Sequence, residues 1–315
     1  MPAARTRDLL GYAVALAIIA AAAVWVAGHR DRVAAVFSLH PGYLAVLVPT
    51  AVANALLVGL LNQVVATHLG VRLGFWRWAS LGFASTLVNY VLPARGGMAV
   101  RAAYYRRVGG LPLAKFASSM AVIYVITVLV NAFAAMAGLL WAWWAAGVML
   151  WPVFFVAAGL VLVCILALAL SPRPSDRPVE SGLRATLARV HRGWETLRTS
   201  PPLLGKVAAV VAAGTVMNAA RLYVVYLAIG HPVSAAGCLL VGALAGLGTF
   251  LSFTPGALGI RDGAIVFGSM AVRVSAEVGL LASVVDRAVL LLVVLSIGPL
   301  AALRISKETA RGRAE

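Results

Sequence analysis

The sequence predicts an all-α integral membrane protein: six transmembrane helices and two oppositely oriented re-entrant helical hairpins, forming an inverted repeat in a single polytopic domain over residues 1–315. Three observations carry this class. Of 315 residues, 62% are hydrophobic and 11% charged, and the chain runs repeatedly through apolar stretches long enough to cross a hydrocarbon core. Most of the 26 lysines and arginines collect on one side of those stretches. Finally, two apolar segments are interrupted by proline and glycine where a spanning helix would still lie in lipid.

Leu9 to Ala27 is longer than a signal-peptide core and lacks a clear small-x-small cleavage site, so it reads as a retained first span near 9–28. Further spans fall near 43–67, 116–140, 152–170, 204–230 and 277–303. With Arg5 and Arg7 in the cytoplasm, this order puts Arg72, Arg77, Arg106, Arg107, Lys115 and the basic runs Arg173 to Lys206 and Arg304 to Arg313 on the same side. The positive-inside rule then makes both termini cytoplasmic, in a bacterial-type cytoplasmic (inner) membrane. Trp141, Trp143, Trp144 and Trp151 mark the outer interface, where amphipathic rings settle at headgroup depth. The net charge of +16 is explained by this placement, and no nucleic-acid partner is called for. Cys164 and Cys238 sit in apolar runs and are expected to be free thiols. In the cytoplasmic basic loop 171–203, Leu183, Leu187, Val190, Trp194 and Leu197 recur every three or four residues. That stripe describes an amphipathic helix on an anionic leaflet, with a solvated basic linker as the alternative.

The segment from about Ala79 to Arg107 is flanked by bases at both ends and must therefore enter and return on the cytoplasmic side. Its first arm, about fourteen residues or roughly 21 Å, is too short for the ~30 Å core. Asn89, Pro93, Arg95, Gly96, Gly97 and Arg101 surround its turn. Ser234 to Val272 repeats the design from the outside, turning at Pro255, Gly256 and Gly259, with Arg261 and Asp262 beyond. Backbone broken at membrane depth survives only against protein or a wet cavity, so both turns must face inward. Each half then reads span, span, hairpin, span: 1–140 as the first repeat and 152–303 as the second. Asn54 and Asn218, at nearly equal intervals before the two prolines, are a small echo of this symmetry.

At these residues the chain resembles the lysylphosphatidylglycerol-synthase transmembrane family, whose best-known members include the flippase regions of enzymes that make and export aminoacylated phosphatidylglycerol. The resemblance covers most of the chain and rests on the two turn motifs, with Arg287 matching an arginine common in the family's last span. It implies a lipid-handling membrane domain. The sequence also departs from the pattern: Met98 occupies a position that is usually acidic, and Tyr124 and Thr127 stand where Arg and Asp are often found. These 315 residues hold no counterpart of the cytosolic aminoacyl-transferase domain fused to the best-known members.

Arg95, Arg101, Arg221, Arg261 and Arg287 lie at or near membrane depth, against Asp262 and Asp286. Charge there is costly and by default functional. Guanidinium groups bind phosphate bidentately, and half-helix N-termini add backbone donors, so an anionic lipid headgroup is the natural ligand. Arg101 is equally an ordinary cytoplasmic anchor, and Arg221 with Asp286 either binds substrate or forms a structural ion pair. The sequence carries no HExxH or GxSxG motif and calls for no metal or cofactor. The expected function is transport of an anionic lipid, a polyprenyl-phosphate-linked one or a phospholipid or glycolipid. The alternative is a non-transporting membrane subunit serving a lipid-modifying enzyme partner; an aminoacyl-phospholipid flippase or a membrane enzyme ranks lower.

Overall fold

Lipid offers no hydrogen-bond partner to a backbone, so apolar runs of this length must satisfy their own N–H and C=O groups, and helices do so within one segment. The computed structural model of the chain describes residues 40–92, 96–147, 149–170, 182–251 and 254–311, which form ten α-helices and one short 3-10 turn. Helix α1 (Pro41–His68) opens on a proline, whose missing N–H is not needed at a helix start, and His40 Nδ1 accepts the Gly42 N–H at 3.2 Å. There follow α2 (Phe75–Val91), α3 (Gly96–Val108) and α4 (Leu113–Ala146), the last closed by Gly147 in the left-handed region at φ 65°. Then come α5 (Trp151–Ala169), α6 (Gly182–Arg198), α7 (Pro201–Ala228), α8 (Ala235–Leu251), α9 (Ile260–Ala271) and α10 (Ala276–Arg311).

Five of these, α1, α4, α5, α7 and α10, are long and apolar enough to cross a membrane, and they fall on the second to sixth expected spans. The first expected span lies outside the described residues. Trp141, Trp143, Trp144 and Trp151 are all exposed around the α4–α5 turn, as an interfacial cluster requires. Each expected hairpin region holds a helix pair packed on itself, α2 with α3 and α8 with α9. The first arm is longer than anticipated, since α2 has 17 residues. That is about 25 Å, still short of the ~30 Å core.

The two halves match in detail. Helices α1 and α7 each have 28 residues, and α2 and α8 each have 17. One interval separates Pro41 from Pro201, Gly70 from Gly230 and Val91 from Leu251, and both Gly70 and Gly230 hold positive φ in the turns after α1 and α7. Packing follows the same exchange: α1 lies on α7, while α4 packs on α8 and α10 on α2. Even the close approaches correspond. A Cβ on Gly82 would stand 3.1 Å from Gly59 Cα of α1, and one on Gly242 would stand 3.3 Å from Ala219 Cα of α7. At this interval Asn54 corresponds to Gly214, so the Asn54–Asn218 echo is one helical turn out of register.

Helix α6 is present, but its apolar stripe is divided. Leu197 is buried and Trp194 packs on the same core, while Ser118 Oγ of α4 donates to the Val190 carbonyl at 2.7 Å. Leu187, farther along the stripe, is exposed. The protein therefore takes the C-terminal part of a face that sequence periodicity assigns whole to the leaflet.

Candidate functional site where two helix breaks meet

In the first break α2 ends at Val91, Leu92 is extended, and α3 begins at Gly96. Asn89 Oδ1 accepts the Gly97 N–H at 2.9 Å and so ties the arms together across the gap. Gly97 has to be glycine, because a Cβ there would overlap the Ser85 carbonyl and stand 2.7 Å from Asn89 Oδ1. Gly97→Ala should therefore lower stability by about 1–3 kcal/mol through overpacking. Gly263→Ala, with open space around its Cβ, should leave the melting temperature in detergent unchanged. Equal melting of both variants would contradict the close approach. Pro93 and Arg95 lie outside the described residues.

The second break is a 3-10 turn, Pro255–Ala257, with Gly256 at φ 58° and Gly259 at φ 83°. Thr254 Oγ1 donates to the Leu258 carbonyl at 2.7 Å. The Asp262 carboxylate accepts the Gly259 N–H at 3.0 Å, capping α9. The breaks touch each other. Gly256 lies against the ring of Tyr90, two residues before the first break, so closely that a Cβ would stand 2.6 Å from Tyr90 Cδ1.

Around this junction five charged side chains form a network of two ion-pair clusters, set side by side by Arg261 and Asp262 on α9 and by Asp286 and Arg287 on α10. Asp286 accepts from Arg221 Nε and from Arg261 Nη2, both at 2.6 Å. Asp262 takes Arg287 Nη2 on both oxygens, at 2.9 and 2.8 Å, and also accepts from Ser283 Oγ at 2.5 Å. Arg287 Nη1 donates to the Gly256 carbonyl at 2.9 Å, fastening α10 to the turn. Asn218 accepts from Arg221 Nη2 at 2.7 Å and donates to the Gly242 carbonyl at 3.0 Å, linking the network to the α7–α8 contact. Arg221, Arg261, Asp286 and Arg287 are buried. Arg221 Nη1 is a buried donor that no described residue accepts.

Of the sequence-derived candidates, Arg221, Gly256, Gly259, Arg261, Asp262, Asp286 and Arg287 come together here, with Pro255 at the start of the turn. Asn89, Gly96 and Gly97 form the first break, and Arg101 lies one turn along α3, its Nε 3.4 Å from the Gly97 carbonyl. The Arg221–Asp286 ion pair forms. Arg261 does not pair with its neighbour Asp262: adjacent helical residues face different directions, so Arg261 reaches Asp286 while Asp262 turns back to its own cap and to Arg287. Removing Arg261 would thus take away one of two Asp286 partners, a loss sequence reasoning did not foresee. Tyr90, Ser283 and the hydrogen bond from Arg221 to Asn218 were also missed. Ser283, one turn before Arg287 on α10, was the readable one.

The corresponding place in the first half has no such charge. The interval that separates Gly96 from Ile260 takes Met98 to Asp262, and the interval from Leu113 to Ala276 takes Met120 to Ser283 and Tyr124 to Arg287. Asp262 and Arg287, 25 residues apart, are joined by a bidentate ion pair, whereas Met98 and Tyr124, 26 residues apart, are joined by a long hydroxyl–sulfur contact of 4.0 Å. The Tyr124 ring also meets Phe250 edge-on at 5.3 Å, beside the second break.

The sequence profile of the lysylphosphatidylglycerol synthase TM region matches residues 10–298, which takes in both breaks and the whole charged network. The chain belongs to that family. No curated protein matches it. As a member of the lysylphosphatidylglycerol synthase TM region family with five long apolar helices among its described residues, the chain is a multi-pass helical membrane protein.

Proposed function

We propose that this protein is a transporter, not an enzyme, and that it moves an anionic lipid between the leaflets of the cytoplasmic membrane past the junction of its two helix breaks. One observation supports this above others: among the described residues, three buried arginines share two carboxylates at that junction, leaving one positive charge in excess. An uncompensated charge inside a membrane protein is costly. A phosphate passing the junction would supply the missing negative charge, and the spare Nη1 of Arg221 supplies a donor for it. A lysylated headgroup brings positive charge to a site already in excess. The matched halves support an inverted repeat, 1–140 and 152–303, in which the pairs α2–α3 and α8–α9 are re-entrant hairpins and the segment near 9–28 is the sixth span. Both termini are then cytoplasmic.

The test is transport by the purified protein in liposomes without any partner. It should move fluorescent phosphatidylglycerol between leaflets faster than protein-free liposomes do, and faster than it moves the lysylated lipid. Oriented vesicles check the topology: Ala145→Cys should react with an impermeant maleimide from outside, and Lys307→Cys only from the cytoplasmic face. No acceleration across a panel of polyprenyl phosphates, phosphatidylglycerol and aminoacyl lipids would refute the transporter reading and favour the accessory subunit.

A further inference from the structure

In the second half α9 packs closely along α10, stapled by Asp262, Ser283 and Arg287. Among the described residues the first half shows no ion pair in the place of this staple, and α3 stands away from α4. Between them runs an open cleft of about 580 Å³ lined by Gly96, Met98, Ala99 and Ala102 on α3 and, on α4, by residues including Ala117 and Tyr124. Ala99 and Ala117 are exposed within it, and its walls are mostly apolar; among the described lining residues the Tyr124 hydroxyl is the one side-chain oxygen. An apolar cleft of this size offers few polar partners to water, and a well-held water needs two or more. Hydrocarbon is the filling that suits it.

A charge lies one turn beyond this lining. On α3 the lining stripe Ala99, Ala102 continues at helical spacing to Arg106, which is exposed at the end expected to face the cytoplasm. Apolar walls leading to an arginine are complementary to an amphiphile with an anionic head. At the other end, Met98 touches Tyr124, whose ring meets Phe250 near the end of α8.

We propose that the α3–α4 cleft is the loading site for the transported lipid, holding one hydrocarbon chain of an anionic lipid drawn from the cytoplasmic leaflet while Arg106 holds its phosphate. This rests on the transporter reading for the direction of travel, and adds to it a tail site, a head anchor and an entry side. The exchange of Asp262, Ser283 and Arg287 for Met98, Met120 and Tyr124 is what opens the cleft: three polar groups that would hold two helices together are replaced by two methionines, which adapt to a flexible chain, and an aromatic ring.

The test uses the full-length protein in liposomes containing phosphatidylglycerol with a photoactivatable diazirine midway along one acyl chain, followed by peptide mapping of the adducts. The expected adducts lie on residues 96–102 and 116–124, above the level on the lipid-facing side of α5 at Phe155 and Val163. Ala117→Phe, which fills the cleft, should abolish the excess. Arg106→Glu, an exposed substitution without packing consequences, should lower it roughly five-fold or more. The same diazirine on a zwitterionic phosphatidylcholine should give a smaller excess. Labelling no greater than on α5, labelling indifferent to Ala117→Phe, or equal labelling by the two headgroups would overturn the proposal. Specific labelling without any lipid movement would leave the cleft standing and remove the transporter reading. Lipid movement with no cleft labelling would do the reverse.

Discussion

Asp286→Asn should destabilise the protein by about 3–5 kcal/mol, the range for breaking a buried ion pair by removing one partner. The reason lies in the count of charges. Asp286 is fully buried and is the carboxylate for both Arg221 and Arg261. Its loss leaves three buried guanidinium groups against Asp262 alone, which is already held by Arg287. Asn keeps the shape and one acceptor but removes the charge, so a loss with Asn isolates electrostatics from packing. The measurement is thermal unfolding in detergent. Replacing Arg221, Arg261 and Asp286 together by Leu or Met should recover much of the melting temperature, because an apolar set of similar volume leaves no orphan charge. It should not recover lipid movement. An Asp286→Asn protein that melts like wild type would show that water or a lipid phosphate reaches the network and compensates it.

The architecture was legible because hydropathy and charge placement act over whole helices. Each described span needed only an apolar run of sufficient length, and Pro-Gly interruptions have few meanings at membrane depth. The helix pairs around Pro93 and Pro255 followed from bases at Arg77 and Arg106 and from the turn residues themselves. Register was less legible. Asn54 and Asn218 invited pairing because they stand at nearly equal intervals before Pro93 and Pro255, yet the backbone interval aligns Gly82 with Gly242 and offsets the asparagines by a turn. In the site, the sequence identified the charged residues and offered the Arg221–Asp286 pair, but not the other partners. Pairing of Arg261 with Asp286 and of Asp262 with Arg287 depends on which way each side chain leaves its helix and on how α9 sits against α10. Tyr90 was invisible for a different reason: its role is contact with a glycine in the other half of the chain, and no local pattern announces that.

The family-like substitution at Met98 has a sharper expected outcome now that its neighbour is known. From sequence, Met98→Glu should weaken transport of an anionic lipid by neutralising Arg95 or Arg101. In the structure Met98 faces Tyr124, so a new carboxylate accepts a hydrogen bond from the phenol and reaches those arginines only in competition with it. Met98→Asp combined with Tyr124→Arg goes further and installs in the first half the pair that staples α9 to α10 in the second. A bidentate carboxylate–guanidinium pair in a water-poor site is worth about 1–3 kcal/mol, enough to draw α3 onto α4 across the cleft. The double variant should melt at or above the wild-type temperature, lose cleft labelling by the diazirine lipid, and move anionic lipid about ten-fold or more slowly, since 1.4 kcal/mol corresponds to a factor of ten. Each single variant should melt lower, Tyr124→Arg most of all, because it places a guanidinium beside Met98 and Phe250 with no carboxylate to meet it. Met98→Gln, similar in size and uncharged, separates packing from charge: equal losses for Glu and Gln with anionic and lysylated lipids alike would remove the electrostatic reason for preferring an anionic substrate. A double variant that folds, melts high and still transports at the wild-type rate would show that closing this cleft does not matter, because a lipid that reached the junction by another route would be indifferent to the distance between α3 and α4.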